Sequence, residues 1–209
     1  MPPTKRFMWL MLAAYFCAGY GYVVTATFIV AFVEQQPSLQ GMGAWVFVFV
    51  GLGAAPAVML WDLITRYTGY LNALLLTLVI QIAGILLPVI QPNLFTVVVS
   101  AMLFGATFIG SVSLVLTMAG RLYPSQPAKI MGKMTVSYGS AQIIAPALTG
   151  SLAAQLGSYN TGLWIAGFFV ILGSLLVVWL KLTDSTAQKL DALSSQAAAS
   201  PSVKAVKAG

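Results

Sequence analysis

The side chains that ordinarily carry enzyme chemistry are scarce in this sequence. Its 209 residues include no histidine, one cysteine, Cys17, and four carboxylates, Glu34, Asp62, Asp184 and Asp191. One cysteine cannot form a disulfide within the chain, and a Cys/His metal cluster cannot be assembled. Serines such as Ser111 and Ser137 lack a neighbouring base to activate them, and there is no phosphate-binding loop. The set of nucleophile, base and orienting group is missing, so the sequence predicts no enzyme, no metal and no cofactor. What remains is a group of neutral hydrogen-bonding residues inside long apolar stretches: Tyr20, Tyr22, Thr25, Thr107, Ser111, Tyr138 and Gln142. They could hold a solute without changing it.

The elements that must position them are membrane helices. The chain is 59% hydrophobic and only 7% charged, against roughly 25% charged residues in soluble domains. It could not cover a water-facing surface. The net charge of +6 comes from residues between and beyond the apolar runs, which fits an anionic membrane surface and not nucleic acid. A helix needs about 20 apolar residues to cross the hydrocarbon core, and alternating strand patterns are absent. The pattern predicts six spans: Phe7–Val33, Gly43–Leu60, Tyr70–Ile90, Leu94–Met118, Met134–Ala154 and Gly162–Leu182. The first follows Lys5 and Arg6 as a secretory signal would. Its apolar run continues well past the roughly 7–15 residues of a signal core, so it reads as a spanning helix.

No Lys, Arg, Asp or Glu falls in the interior of these spans. Lys5, Arg6, Arg66, Arg121, Lys129 and Lys133 lie in the N-terminal segment and alternate connections, and Lys181, Lys189, Lys204 and Lys207 at the C-terminal end. The intervening loops 34–42, 91–93 and 155–161 contain no Lys or Arg. The positive-inside rule then places both termini on the cytoplasmic side. Trp9, Trp45, Trp61, Trp164 and Trp179 all fall near predicted span ends, where indole prefers the headgroup boundary. From 183 to 209 the composition turns to Ser, Ala and Lys, predicting a disordered cytoplasmic tail.

Six spans divide as three plus three. Pro56 and Pro146 occupy similar positions in the second and fifth spans, and the string ATFI recurs at 26–29 and 106–109. An odd number of spans per unit produces an inverted-topology repeat. The expected fold class is therefore an all-α polytopic bundle, six helices as a 3+3 inverted repeat. In the fifth span Thr135, Tyr138, Gly139, Gln142, Pro146, Thr149 and Gly150 recur on one side, and the first is interrupted by Gly19-Tyr20-Gly21. Polar groups in lipid must face protein or a water-filled cavity. Two readings stand open: close packing of small residues, as at Gly53/Ala57, Ala101/Gly105 and Ala106/Gly110, or the lining of a solute pathway.

The stretches AAYFCAGYGYVVTATFIVAF (13–32), SAMLFGATFIGSVSLVLTMAGRLYP (100–124) and GKMTVSYGSAQIIAPALTGSLA (132–153) resemble the major facilitator superfamily. Within it they are similar to the YbfB/YjiJ-type branch of bacterial transporters. The similarity covers nearly all of residues 7–182 and implies the C-terminal half of a twelve-helix carrier, with MPPTKRF resembling the linker before it. WDLITRYTGY keeps Asp62, Arg66 and Gly69 of the family's gating loop at altered spacing. Ala145-Pro146-x-x-Thr149-Gly150 is similar to the antiporter signature, which normally belongs to a different helix.

The resemblance implies alternating access by two six-helix bundles rocking about a midplane site. The first, second, fourth and fifth spans would face the pathway and the third and sixth lie outermost. Partners would be a small-molecule solute, the bilayer of a bacterial inner membrane, and a second six-helix half, either an N-terminal half or another copy. Since no acid lies within a span, a proton-coupling carboxylate would come from that second half. The competing expectation is a truncated or structural membrane protein without transport activity of its own, because one bundle supplies half of the site.

Overall fold

The computed structural model describes residues 3–186 and 188–192, and every regular element among them is helical. The first helix, α1 (Lys5–Glu34), starts where the Thr4 hydroxyl accepts the Phe7 N–H at 3.0 Å. The expected interruption at Gly19-Tyr20-Gly21 does not occur, and α1 runs through it unbroken. These glycines instead thin the helix where others cross it. A methyl group on Gly19 would sit 2.8 Å from the Tyr138 carbonyl oxygen, and one on Gly21 would strike Val170.

The second predicted span is two helices, α2 (Gly43–Ala54) and α3 (Ala57–Thr68), set at 42° to each other. Pro56 is the cause, because it lacks an N–H and its ring crowds the carbonyl four residues earlier. Gly69, at φ +84°, makes the corner into α4 (Tyr70–Ile90), a backbone setting that glycine adopts without strain. Pro88 lies inside α4 without ending it. It leaves the Gly84 carbonyl without its helical donor, and the Ser100 hydroxyl on the next helix supplies one.

That next helix, α5 (Leu94–Leu122), opens with a capping box between Asn93 and Thr96. Helix α6 (Pro127–Leu156) starts on a proline and stops at Gly157, whose φ of +68° closes it in the left-handed region. The last long helix is α7 (Asn160–Thr183). Helix α1 packs chiefly on α6 and α7, α4 on α5 and α7, and α2 on α5.

The ends sort by charge. Arg6 lies over the Trp179 ring at 5.4 Å and Arg121 over Tyr70 at 5.5 Å, joining the starts of α1 and α4 to the ends of α7 and α5. At the other end Phe28 stacks on Tyr159 at 5.3 Å, and Glu34 accepts the Gly41 and Gly43 amides at 2.9 and 2.7 Å. Those two donors hold the Glu34 carboxyl below its ordinary pKa.

Among the described residues α1, α4, α5 and α7 are long and apolar enough to cross a membrane, and the bent pair α2–α3 makes a fifth candidate. Helix α6 does not join them by composition, since Lys129, Lys133, Ser137, Ser140, Gln142 and Thr149 dilute its apolar residues. Its 30 residues nevertheless measure about 45 Å at 1.5 Å per residue. Four of the five tryptophans point outward. Trp61 does not: it is 2% exposed and donates its indole N–H to the Ala106 carbonyl at 2.8 Å. It lies in space left by Gly110, so it is a packing anchor between α3 and α5. Of the tail expected to be disordered, 193–209 lies outside the described residues. The chain at 186 and 188–192 is helical, with Leu190 buried.

Candidate functional site

The side chains singled out from sequence fall into two sets. Tyr22 and Tyr138 meet where α1, α5 and α6 converge, with ring centroids 5.8 Å apart. Tyr15 packs on Tyr138 at 4.6 Å, and Phe104 and Phe108 of α5 lie 5.8 and 4.9 Å from Tyr22. Phe104 and Phe108 recur at i, i+4 and Tyr15 and Tyr22 at i, i+7, so helical spacing already put each pair on one face. Only the packing of α1, α5 and α6 joins these rings into a cluster. Tyr22 and Phe108 remain half-buried, whereas Tyr15, Phe104 and Tyr138 are buried.

The second set turns away from that cluster or spends its hydrogen bonds at home. Tyr20 stacks on Phe169 of α7 at 4.1 Å. Thr107 and Ser111 are buried, and their hydroxyls donate to the Leu103 and Phe108 carbonyls of their own helix at 2.8 and 3.0 Å. Thr25 is buried too, and its hydroxyl has no hydrogen-bond partner among the described residues. Gln81 on α4 is 0% exposed, with neither amide atom partnered among the described residues. Little in the local sequence marks it, because its span is otherwise almost wholly apolar.

Helix α6 carries the polar stripe. Tyr138 and Thr149 are buried, Gly139, Gln142, Pro146 and Gly150 are half-buried, and Thr135 is exposed. Its inner side is fixed to α1, where Ser137 donates to the Leu12 carbonyl at 2.7 Å and Gly150 faces Phe28. Pro146 sits inside the helix without breaking it. Having no N–H, it cannot pair with the carbonyl of Gln142 four residues before. Gln142 therefore presents a backbone acceptor as well as its side-chain amide, both one helical turn from Tyr138. Among the described residues, no neighbour lies within 4 Å of where a side chain on Gly139 would begin.

Of the residues expected in a gating loop, Asp62 and Arg66 are on helix α3 and Gly69 lies just past its end. Arg66 donates to Asp62 from Nε at 3.1 Å and from its terminal nitrogen at 2.7 Å, and both side chains are largely exposed. Such a surface pair stabilises by about 0–1 kcal/mol. With Gly69, Tyr67, Tyr70, Arg121 and Asp191 they edge a cleft of about 560 Å³ at the basic end.

Long apolar helices around a buried polar and aromatic interior define a multi-pass helical membrane protein. The sequence pattern of the family described as "Uncharacterised MFS-type transporter YbfB" matches residues 2–178. The chain belongs to that family of major facilitator transporters, and membrane transport is the function the family supports. No curated protein matches the chain.

Proposed function

We propose that the chain forms six spans, with α2–α3 as one bent span and α6 as another, and moves a small organic solute by alternating access. In this reading it is the C-terminal half of a major facilitator carrier in a bacterial inner membrane, with both termini cytoplasmic. It works with a second six-helix half, an N-terminal half or another copy. The basic end of the bundle is then the cytoplasmic one.

The observation that carries this reading is the side of α6 around Gln142. A helix that only packed would be closed by neighbours, and one that only met lipid would be apolar. This stripe combines a half-buried amide, a carbonyl deprived of its helical donor and an open glycine. Such polarity in a membrane is stable against a water-filled pathway or a partner's polar groups. Tyr22 and Phe108 beside it offer ring faces, so the fitting solute is a neutral or weakly polar molecule carrying an aromatic ring and a hydrogen-bond donor.

Substituted-cysteine labelling tests the pathway. Native Cys17 is buried, so single cysteines at Gly139, Gln142 and the strongly exposed, apolar Ile143 can be compared. A charged, membrane-impermeant thiol reagent should modify positions 139 and 142 and spare 143. Equal silence at all three would remove the pathway. Labelling without solute flux, in the presence of a second half, would favour a structural membrane protein with no transport of its own.

A further inference from the structure

Helix α4 begins without a cap of its own. Its N-cap residue is Gly69, which has no side chain to offer, and the first amides of any helix lack intrahelical acceptors. The missing acceptor arrives from far along the chain: the Tyr70 N–H donates to Asp191 Oδ1 at 3.0 Å, across 121 residues. Asp191 Oδ2 occupies the space where a side chain at position 69 would have to go. Glycine at 69 thus serves twice, allowing the positive φ and leaving room for a carboxylate over the helix start. Negative charge there is also favoured by the helix dipole.

Other contacts hold the same segment. Leu190 is buried and continuous with the apolar core. Ala192 lies in the wall of the cleft shared with Asp62, Arg66, Tyr67 and Arg121. Asp184, just past α7, accepts from the Thr4 hydroxyl at 2.7 Å, from the Thr186 N–H at 2.8 Å and from the Thr186 hydroxyl. Burial pushes the Asp184 carboxyl up, but these bonds outweigh it and hold the pKa below the usual value, with Lys189 adding to them. Burial pushes Asp191 above its ordinary value, and the Tyr70 N–H draws it partly back.

We infer that residues 188–192 are a releasable strap, which docks on the α3–α4 corner by Asp191 and Leu190 and ties that corner to the end of α7. It is held by Asp191 at the corner and by Leu190 in the core, with Ala192 in the cleft wall, and it can come away as a unit because residues 184–185, just past α7, are not helical. Docked, it fixes the start of α4 beside the Asp62–Arg66 pair. Undocked, it leaves the first amide of α4 to water and the corner free to change its angle.

The test is limited trypsin cleavage of the purified full chain after Lys189, read by mass of the released peptide. Asp191→Ala should speed this cut about fivefold relative to wild type, the scale of a lost helix cap. Asp191→Asn also loses the charge, so it controls for the protease's own preference. It keeps an acceptor oxygen and should stay near the wild-type rate. Gly69→Ala, at the other side of the contact, should speed the cut as Asp191→Ala does, and combining the two should add little. Equal cutting of wild type and Asp191→Ala, both folded by gel filtration, would overturn the strap. Should the variants fail to fold, hydrogen exchange in the wild type decides: a slow Tyr70 amide supports docking, and a fast one refutes it.

Discussion

The seam between α2 and α5 and the polar stripe of α6 are both rich in small residues, yet they are built differently. On α5, a methyl group added to Gly105 would collide with the Val50 carbonyl of α2. One added to Gly53 of α2 would collide with the Met102 carbonyl of α5. The two backbones touch, and Gly110 extends the seam by admitting Trp61. On α6, a methyl group at Gly132 or Gly139 would meet nothing within 4 Å among the described residues. Small residues thus close one surface and leave the other open. The packing reading drawn from the sequence applies to Gly53/Ala57, Ala101/Gly105 and Ala106/Gly110, which belong to the closed side, and the open side of α6 is where the pathway is proposed.

The most severe way to break this contrast is Gly105→Ala. Because the obstacle is backbone, the helices must separate, and we expect a loss of about 3 kcal/mol or more. Thermal unfolding in detergent would show it, and a wild-type melting curve would mean that the backbones are not in contact. Ser100→Val comes next, since it strips the donor from the Gly84 carbonyl that Pro88 leaves open. An unpaired buried carbonyl should cost about 1–3 kcal/mol in the same assay.

Gln81→Leu should act in the opposite direction. It replaces a buried amide that has no partner among the described residues, and a gain of about 1 kcal/mol is expected. A loss of stability would indicate that Gln81 is hydrogen-bonded in the membrane.

The loop that delivers the chain into α2 gives a pH-dependent test. Glu34 has its pKa lowered by the Gly41 and Gly43 amides, so its stabilising effect is present above the ordinary carboxylate value of about 4.3. It is lost as pH falls through the lower folded value. Hydrogen exchange at the Gly43 amide should quicken over that window, and Glu34→Gln should make exchange insensitive to it. The smallest effect belongs to the open side: Gly139→Ala should change stability by no more than about 0.5 kcal/mol. A large loss there would mean that another element covers α6.

Much of the helical scaffold was legible because the signal is long and simple. Helix α4 occupies the predicted range, Tyr70–Ile90, and Gly69 and Gln91 bound it as turn residues do. Pro56 marked a disturbance that the sequence placed inside a span. The structure makes it a 42° joint, while Pro88 and Pro146 stay within continuous helices. Proline guarantees a lost hydrogen bond, but whether the helix bends depends on what replaces that bond, and for Pro88 the replacement is a hydroxyl on another helix. The candidate site was legible only in part. Gln142, Tyr22 and Tyr138 could be picked out as polar groups in apolar runs, but the same rule picked out Thr107 and Ser111, which satisfy themselves on their own helix.

By itself the sequence determined the solvent of this protein and the elements that suit it: lipid, and long helices whose charged residues gather toward their ends. Hydropathy decides this because each buried charge or open backbone group would be prohibitive in hydrocarbon. Which face of each helix looks inward was decided only by tertiary structure. Lipid is as apolar as a protein core, so the periodicity that betrays the inner face of a soluble helix is faint here. Trp61 turned inward, Tyr20 set on Phe169, Gly105 against Val50 and Asp191 over the start of α4 all depend on residues distant in the chain. No local pattern contains them.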